Sequence, residues 1–261
     1  QEFFDKAKKD LKLKNAKLVS FGSTRKLNVN VEEDPQVQAL IDSETEYVCI
    51  VGKSSNLHIT KALETDVDNA ILMATDTIRH LKENKRKVFF DAEHFFDGLK
   101  EDSEVSLKIL DAVIKEGVEC FIFCDTNGGT LPHEVTTLLT PIIEKYSDQT
   151  FGVHFQNDNG CAVTNSIAAV NLGVEHVQGT MNGYGERTGN ADLCTLLPNL
   201  SLKMGLETVP ETNLEKLTPI ANHIAELVNI AIDSRHPYVG SSAFTHKAGL
   251  HASGMSKDNT L

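Results

Sequence analysis

Positive charge is scarce in this sequence. Its 25 lysines and arginines stand against 37 acidic residues, giving a formal net charge of −12 and a pI near 5.3. Proteins that hold a phosphate backbone usually carry basic patches, so the deficit argues against a nucleic-acid partner. Long apolar runs are missing too: none approaches the ~18–20 residues needed to span a bilayer, which argues against a membrane partner. There is no C-x-x-C spacing. The five cysteines, Cys49, Cys120, Cys124, Cys161 and Cys194, are odd in number and scattered. They read as reduced thiols of a cytoplasmic protein rather than a disulfide framework, and three (Cys49, Cys120, Cys124) fall in apolar strand-like runs. No secretory leader is legible at Gln1. The chain does not begin with Met, so it reads as a piece of something longer.

What the sequence does have is alternation. At 40% hydrophobic residues it can bury a sizeable core. Strand-like runs are expected at Ala16–Gly22, Tyr47–Val51, Lys87–Ala92, Glu119–Asp125, Phe151–Phe155 and Glu175–Thr180. Several are nearly continuous apolar runs, as in parallel strands covered on both faces. Helical runs lie between them. One carries Ile71, Ala74, Ile78 and Leu81 at spacings of three and four. Another starts near Ser103 and stops at Gly117. A third follows Pro132, a residue suited to a first helical turn. Six such β/α units are present where a closed barrel needs eight. The predicted fold class is therefore α/β: a TIM (β/α)8 barrel lacking its first two strands, followed by a small helical subdomain. Residues 1–205 form the partial barrel and residues 206–261 a helical appendage truncated at its C-terminus. The appendage is expected to hold an amphipathic helix capped by Thr212 or Asn213 and carrying Leu214, Leu217, Ile220, Ile224, Leu227 and Ala231.

Polar residues collect where these strands end, which is where α/β proteins place their sites. His154 and Gln156 are two apart on a strand end, so both side chains share one face. Such a pair of nitrogen and oxygen donors suits a divalent metal; taken alone it equally suits a structural histidine. Asp125-Thr126-Asn127-Gly128-Gly129-Thr130 ends another strand, and the Thr126 hydroxyl with the Gly-Gly backbone N–H groups could hold a carboxylate. Asp91-Ala92-Glu93-His94 ends a third, with Glu93 and His94 suited to proton transfer. Lys53-Ser54-Ser55 reads as a helix-capping turn.

Read together, DAEHFFDG, CDTNGGT, HFQND, NGYGERTGN and FTHKAGLH, preceded by SFGSTRK and VGKSSNLHITKALE, resemble the citramalate synthase branch of the family that includes 2-isopropylmalate and homocitrate synthases. The resemblance covers essentially the whole chain. It implies a barrel with one divalent metal ion (Mg, Mn or Zn) at its C-terminal mouth. The implied reaction condenses acetyl-CoA, as co-substrate, with a small 2-keto acid, most simply pyruvate, and then hydrolyses the thioester. By the same resemblance His154, Gln156 and Asn190 belong to the metal site and Thr126 holds the keto acid's carboxylate. Glu93 belongs to the catalytic network, and His251, from the appendage, helps to activate acetyl-CoA. A homodimer is implied because that appendage usually reaches a neighbouring subunit. Two departures stand out. Gln156 occupies a position where the pattern has histidine, and an amide oxygen is a harder, weaker donor than imidazole. The Asp-Arg-Glu motif that the family places on its first strand has no counterpart in this sequence.

Overall fold

The computed structural model describes residues 1–245 and 248–257, apart from the side chains of residues 211 and 249–252. The chain divides into two compact units, Gln1–Gln178 and Gly179–Leu261. Compactness thus divides it at 178/179, whereas 205/206 marks a change of sequence pattern.

All six expected strands are present in the first unit: β1 (Val19–Ser23), β2 (Tyr47–Lys53), β3 (Lys87–Glu93), β4 (Cys120–Asp125), β5 (Phe151–Phe155) and β6 (His176–Gln178). They form one parallel sheet in chain order. Helices α1 (Glu2–Asp10), α2 (Pro35–Asp42), α3 (Asn56–Lys61), α4 (Val67–Glu83), α5 (Phe95–Lys115), α6 (Pro132–Lys145) and α7 (Ala162–Asn171) connect them. The β/α alternation has the expected physical cause. Parallel neighbours need a crossover, and a strand such as β4, buried at every position, needs cover on both faces.

Register assigns the faces. Phe90 lies beside Phe121 and Phe121 beside Phe151, while Cys124 lies beside His154 and His154 beside Gln178. With a side-chain period of two, one face carries Phe90, Phe121, Phe123, Phe151 and Phe155. These pack with Phe95 and Phe96 of α5, ring centroids 4.9–5.7 Å apart. The opposite face carries Cys49, Asp91, Ile122, Cys124, His154 and Gln178. That face is concave: Gln178 Nε2 donates to Asp91 Oδ1 at 2.9 Å. Three strand spacings separate β6 from β3, which on a flat sheet would put them ~14 Å apart. The sheet is therefore curled as in a barrel wall.

Three local expectations change. β1 begins at Val19, not Ala16, because among the described residues β1 is an edge strand paired with β2, which starts at Tyr47 opposite Val19. β6 stops at Gln178, because Thr180 pairs instead with Asp192 across Gly179 and Ala191. The helix expected from Ser103 is real, but α5 already starts at Phe95 and breaks at Asp102, with φ −151° and ψ 83°. Its first piece exists because Phe95 and Phe96 are fully buried under the sheet.

The second unit holds α8 (Leu193–Pro198), α9 (Glu211–Leu214), α10 (Leu217–Val228) and α11 (Gly249–Lys257). The predicted amphipathic helix is thus split, and α10 starts after Lys216 rather than at Thr212 or Asn213. Cys194, Leu217, Ala221 and Val239 form the unit's core. His236 Nε2 lies 2.7 Å from Asp192 Oδ2, and Asp192 also caps α8. Among the described residues no helix is long and apolar enough to cross a membrane.

Candidate active site

The C-terminal ends of β2 to β6 present a continuous polar network within the first unit. At the end of β3 the chain turns through His94, held in the left-handed region at φ 61°. Its backbone N–H donates to Thr126 Oγ1 at 2.8 Å, tying the loop after β3 to the loop after β4. The His94 ring stacks on His58 of α3, centroids 3.5 Å apart. His94 Nδ1 lies 3.3 Å from Asp97 Oδ2, which also accepts from Asn127 Nδ2 at 2.7 Å. Glu93 and Lys53, on adjacent strand ends, form an ion pair with Nζ–Oε2 2.5 Å, both side chains largely buried. Beside them a cavity of about 410 Å³ is lined by Ser55, Leu57, His58, Asp97, Lys100, Glu101 and Asn127. Burial first, then the neighbouring His94 and Lys53 charges, pushes the His58 pKa below its ordinary value.

The loops after β4 and β5 brace each other. Asp125 Oδ2 accepts from the Thr130 backbone N–H at 3.0 Å, and burial still pushes the Asp125 pKa up. Gly128 adopts φ 63°, and a Cβ there would lie 2.5 Å from Asp158 Oδ2. The Gly128 N–H is committed to Asp125 O, so it is not available to the carboxylate that the sequence suggested for it. Asn159 and Asn165 both donate to Thr130 O, at 2.9 and 2.7 Å.

On the concave face His154 Nδ1 lies 2.7 Å from Gln178 Oε1, and Gln156 Nε2 lies 3.4 Å from His154 Nε2. The Gln156 Oε1 atom is buried with no hydrogen-bond partner. An orphaned amide oxygen beside an imidazole fits a small cation, because both are neutral donors that need a positive centre. Among the described residues no group of three or more His, Cys, Asp or Glu side chains is placed to hold a metal ion. The neighbouring thiols are not candidates: burial pushes the Cys49 and Cys124 pKa values far up and that of Cys120 to about 12. They stay protonated, which matches their reading as inert buried thiols.

The remaining site residues lie in the second unit. Asn190 ends the Asn182–Asn190 turn, in which Asn182, Gly183, Arg187 and Gly189 have positive φ. The Asn190 side chain is buried, its backbone N–H donates to Gly183 O, and a side chain at Gly185 would collide with its amide. His251 falls on α11, and its side chain lies outside the described residues. The structure thus joins Glu93 and Thr126 through His94, and His154 with Gln156. Sequence reasoning missed Lys53, Asp91 and Gln178. A signal existed: Asp91/Glu93 and His176/Gln178 repeat the two-residue spacing of His154/Gln156.

A family profile described as HMGL-like matches residues 14–224. The chain is 50% identical over 256 residues to an (R)-citramalate synthase of Aquifex aeolicus, covering 98% of this chain and 48% of that protein. It is 44% identical over 260 residues to an (R)-citramalate synthase of Streptomyces coelicolor, covering 100% and 48%. The chain therefore spans about half the length of the curated relatives it matches. Among solved structures, an HMG-CoA lyase from Acinetobacter baumannii in complex with coenzyme A and 3-methylmalate superposes with TM-score 0.75 at 16% identity, covering 95% of this chain and 80% of that one. At that identity the likeness is one of fold.

Proposed function

Since the chain belongs to the HMGL-like family, we propose that it is the catalytic part of an acyltransferase that joins acetyl-CoA to pyruvate, giving citramalate and free CoA. The observation that carries this reading is the 50% identity to an (R)-citramalate synthase across 98% of the chain. The proposed working form is a cytoplasmic homodimer, with a barrel part over residues 1–205 and a helical appendage from residue 206.

The reaction forms a bond between the acetyl methyl carbon and the keto carbon. The methyl group must first lose a proton, and water later cleaves the thioester to release CoA. A divalent ion held by His154 and Gln156, with Asn190 as a further donor by its turn signature, would supply Lewis acidity to the keto group. The chain's own residues do the rest. The Thr126 hydroxyl is oriented by the His94 N–H, and a hydroxyl can also donate, which is what a keto acid's carboxylate requires. Glu93, held by Lys53, is the carboxylate at the reacting end. His251 is the proposed member of the relay that takes the methyl proton. Holding both substrates in one mouth can remove about 7 kcal/mol from the barrier.

Release of free CoA thiol, measured on the full-length protein with Mn²⁺, acetyl-CoA and a panel of 2-keto acids, tests this. Release with pyruvate alone is the expected result. Release only with a longer or dicarboxylic keto acid would move the assignment to a 2-isopropylmalate or homocitrate synthase. No release with any of them would remove the acyltransferase reading.

A further inference from the structure

We infer that Gln178 and Asp91 are positioning residues that hold the His154 imidazole as its Nδ1–H tautomer and so dedicate Nε2 to a cation. The inference rests on the reading of His154 as a metal ligand.

The chain of contacts has a direction, and the carboxylate sets it. Asp91 is buried on the concave face, and its Oδ1 takes two contacts: Cys49 Sγ at 3.1 Å and Gln178 Nε2 at 2.9 Å. A carboxylate oxygen accepts, so the Gln178 amide must turn its NH₂ end toward Asp91. The amide is placed that way, Nε2 on Asp91 and Oε1 on the imidazole. Burial pushes the Asp91 pKa up, and the Cys49 thiol and Gln178 amide, both donating to it, oppose that shift and favour the carboxylate. Gln178 Oε1 is thereby fixed toward His154, 2.7 Å from Nδ1. Oxygen at that distance needs a hydrogen, and the hydrogen must sit on Nδ1. A neutral imidazole carries only one, so Nε2 bears the lone pair. The placement of Gln156 Nε2, a donor, at 3.4 Å from Nε2 agrees with this. Metal-ligating histidines are commonly oriented in this way, by a carbonyl or carboxylate that accepts from the other ring nitrogen. Here the acceptor is an amide, and a carboxylate three strands away orients it.

The contact is also one that the fold had to build. Gln178 is the last residue of β6 and Asp91 the fifth of β3, with β4 and β5 between them. Only the curl of the sheet brings them together. A histidine needed just for packing would not require a relay across that span.

The test uses the full-length enzyme labelled with ¹⁵N at histidine, observed by long-range proton–nitrogen correlation without metal, with the His154 signals identified by their loss in His154→Ala. Wild type is expected to show His154 as the Nδ1–H tautomer. Gln178→Met, which cannot accept, should move it toward Nε2–H and weaken Mn²⁺ binding by about 10- to 100-fold in calorimetry. Gln178→Glu combined with Asp91→Asn keeps an acceptor on Nδ1 and a donor–acceptor pair between the two side chains, so it should keep the tautomer, which separates positioning from a general loss of packing. A wild-type His154 carrying its proton on Nε2 would overturn the inference. So would Gln178→Met with tautomer and affinity both unchanged, while His154→Ala still lost the metal; that outcome leaves the ligand reading standing. If His154→Ala bound Mn²⁺ as wild type does, the metal reading itself would fail, and the purpose assigned to Gln178 with it.

Discussion

Gln156 puts a neutral oxygen where the resembling family's pattern has an imidazole, and that oxygen is buried without a partner. Leaving a buried amide acceptor unpaired costs about 1–3 kcal/mol, and a bound cation would recover it. An imidazole there would be a softer donor, better matched to Zn²⁺. Gln156→His should therefore tighten Zn²⁺ binding by about tenfold, ~1.4 kcal/mol, with less effect on Mg²⁺; calorimetry showing no change for either ion would remove Gln156 from the site. His58 makes a second prediction at this scale. Its folded pKa lies below the ordinary imidazole value of about 6.5, through burial first and then His94 and Lys53, against the opposing pull of Glu93 and Asp97. The unfolded chain therefore takes up the proton first as pH falls. The contribution of His58 to stability is present above pH 6.5 and is lost as pH drops toward the folded pKa. Thermal midpoints followed from pH 7.5 to 5 should decline below pH 6.5. His58→Phe, which keeps a ring on His94, should flatten that decline.

At the scale of elements, the strands were the legible part. Cys120–Asp125 and Phe151–Phe155 lie inside the runs the sequence marks, because a strand covered on both faces must be apolar throughout. Strand-end site residues were legible for the same reason: a period of two puts His154 and Gln156 on one face without further knowledge. What stayed hidden depended on partners far along the chain. Lys53 looks like the start of a loop until β3 supplies Glu93. Gln178 sits in a strand of three residues whose meaning comes from curvature, which no local pattern encodes. The first turn of α5 is a similar case, since FFDG is a poor helix sequence held by burial of its two rings. Gly98 shows how tightly that turn is seated. A Cβ there would lie 2.3 Å from Ser106 Oγ and 2.8 Å from the Ser54 carbonyl oxygen, the two atoms joined by a 2.7 Å hydrogen bond. Gly98→Ala must push this turn off the loop after β2, so its higher helix propensity will not help. A loss of about 1–3 kcal/mol is expected from such overpacking, read as a lower urea midpoint at unchanged slope.

Across the whole sheet of the first unit, the two faces divide the work between them. One is aromatic and packs under helices; the other gathers polar groups from β2, β3, β5 and β6 around a hollow. Phe123 lies at the centre of the aromatic side, fully buried, with Phe95, Phe121 and Phe151 at 5.0, 5.4 and 4.9 Å. Phe95 and Phe121 also pack on each other, 5.5 Å apart, and Phe151 is held in β5, so these rings cannot fully collapse into the space a benzyl group leaves. Phe123→Ala should therefore fall in the range typical of buried aromatics, about 3–5 kcal/mol. Yet its side chain points away from the hollow, so the polar network is not cut. Below the unfolding transition, the fraction that remains folded should bind Mn²⁺ with unchanged affinity per folded molecule. Gln178→Met should do the reverse, weakening the ion while moving the urea midpoint far less. Measuring midpoint and affinity on both variants tests the division directly. A Phe123→Ala protein that stayed folded but lost the metal would mean that the aromatic face sets the geometry of the polar one, and that the two faces do not act separately.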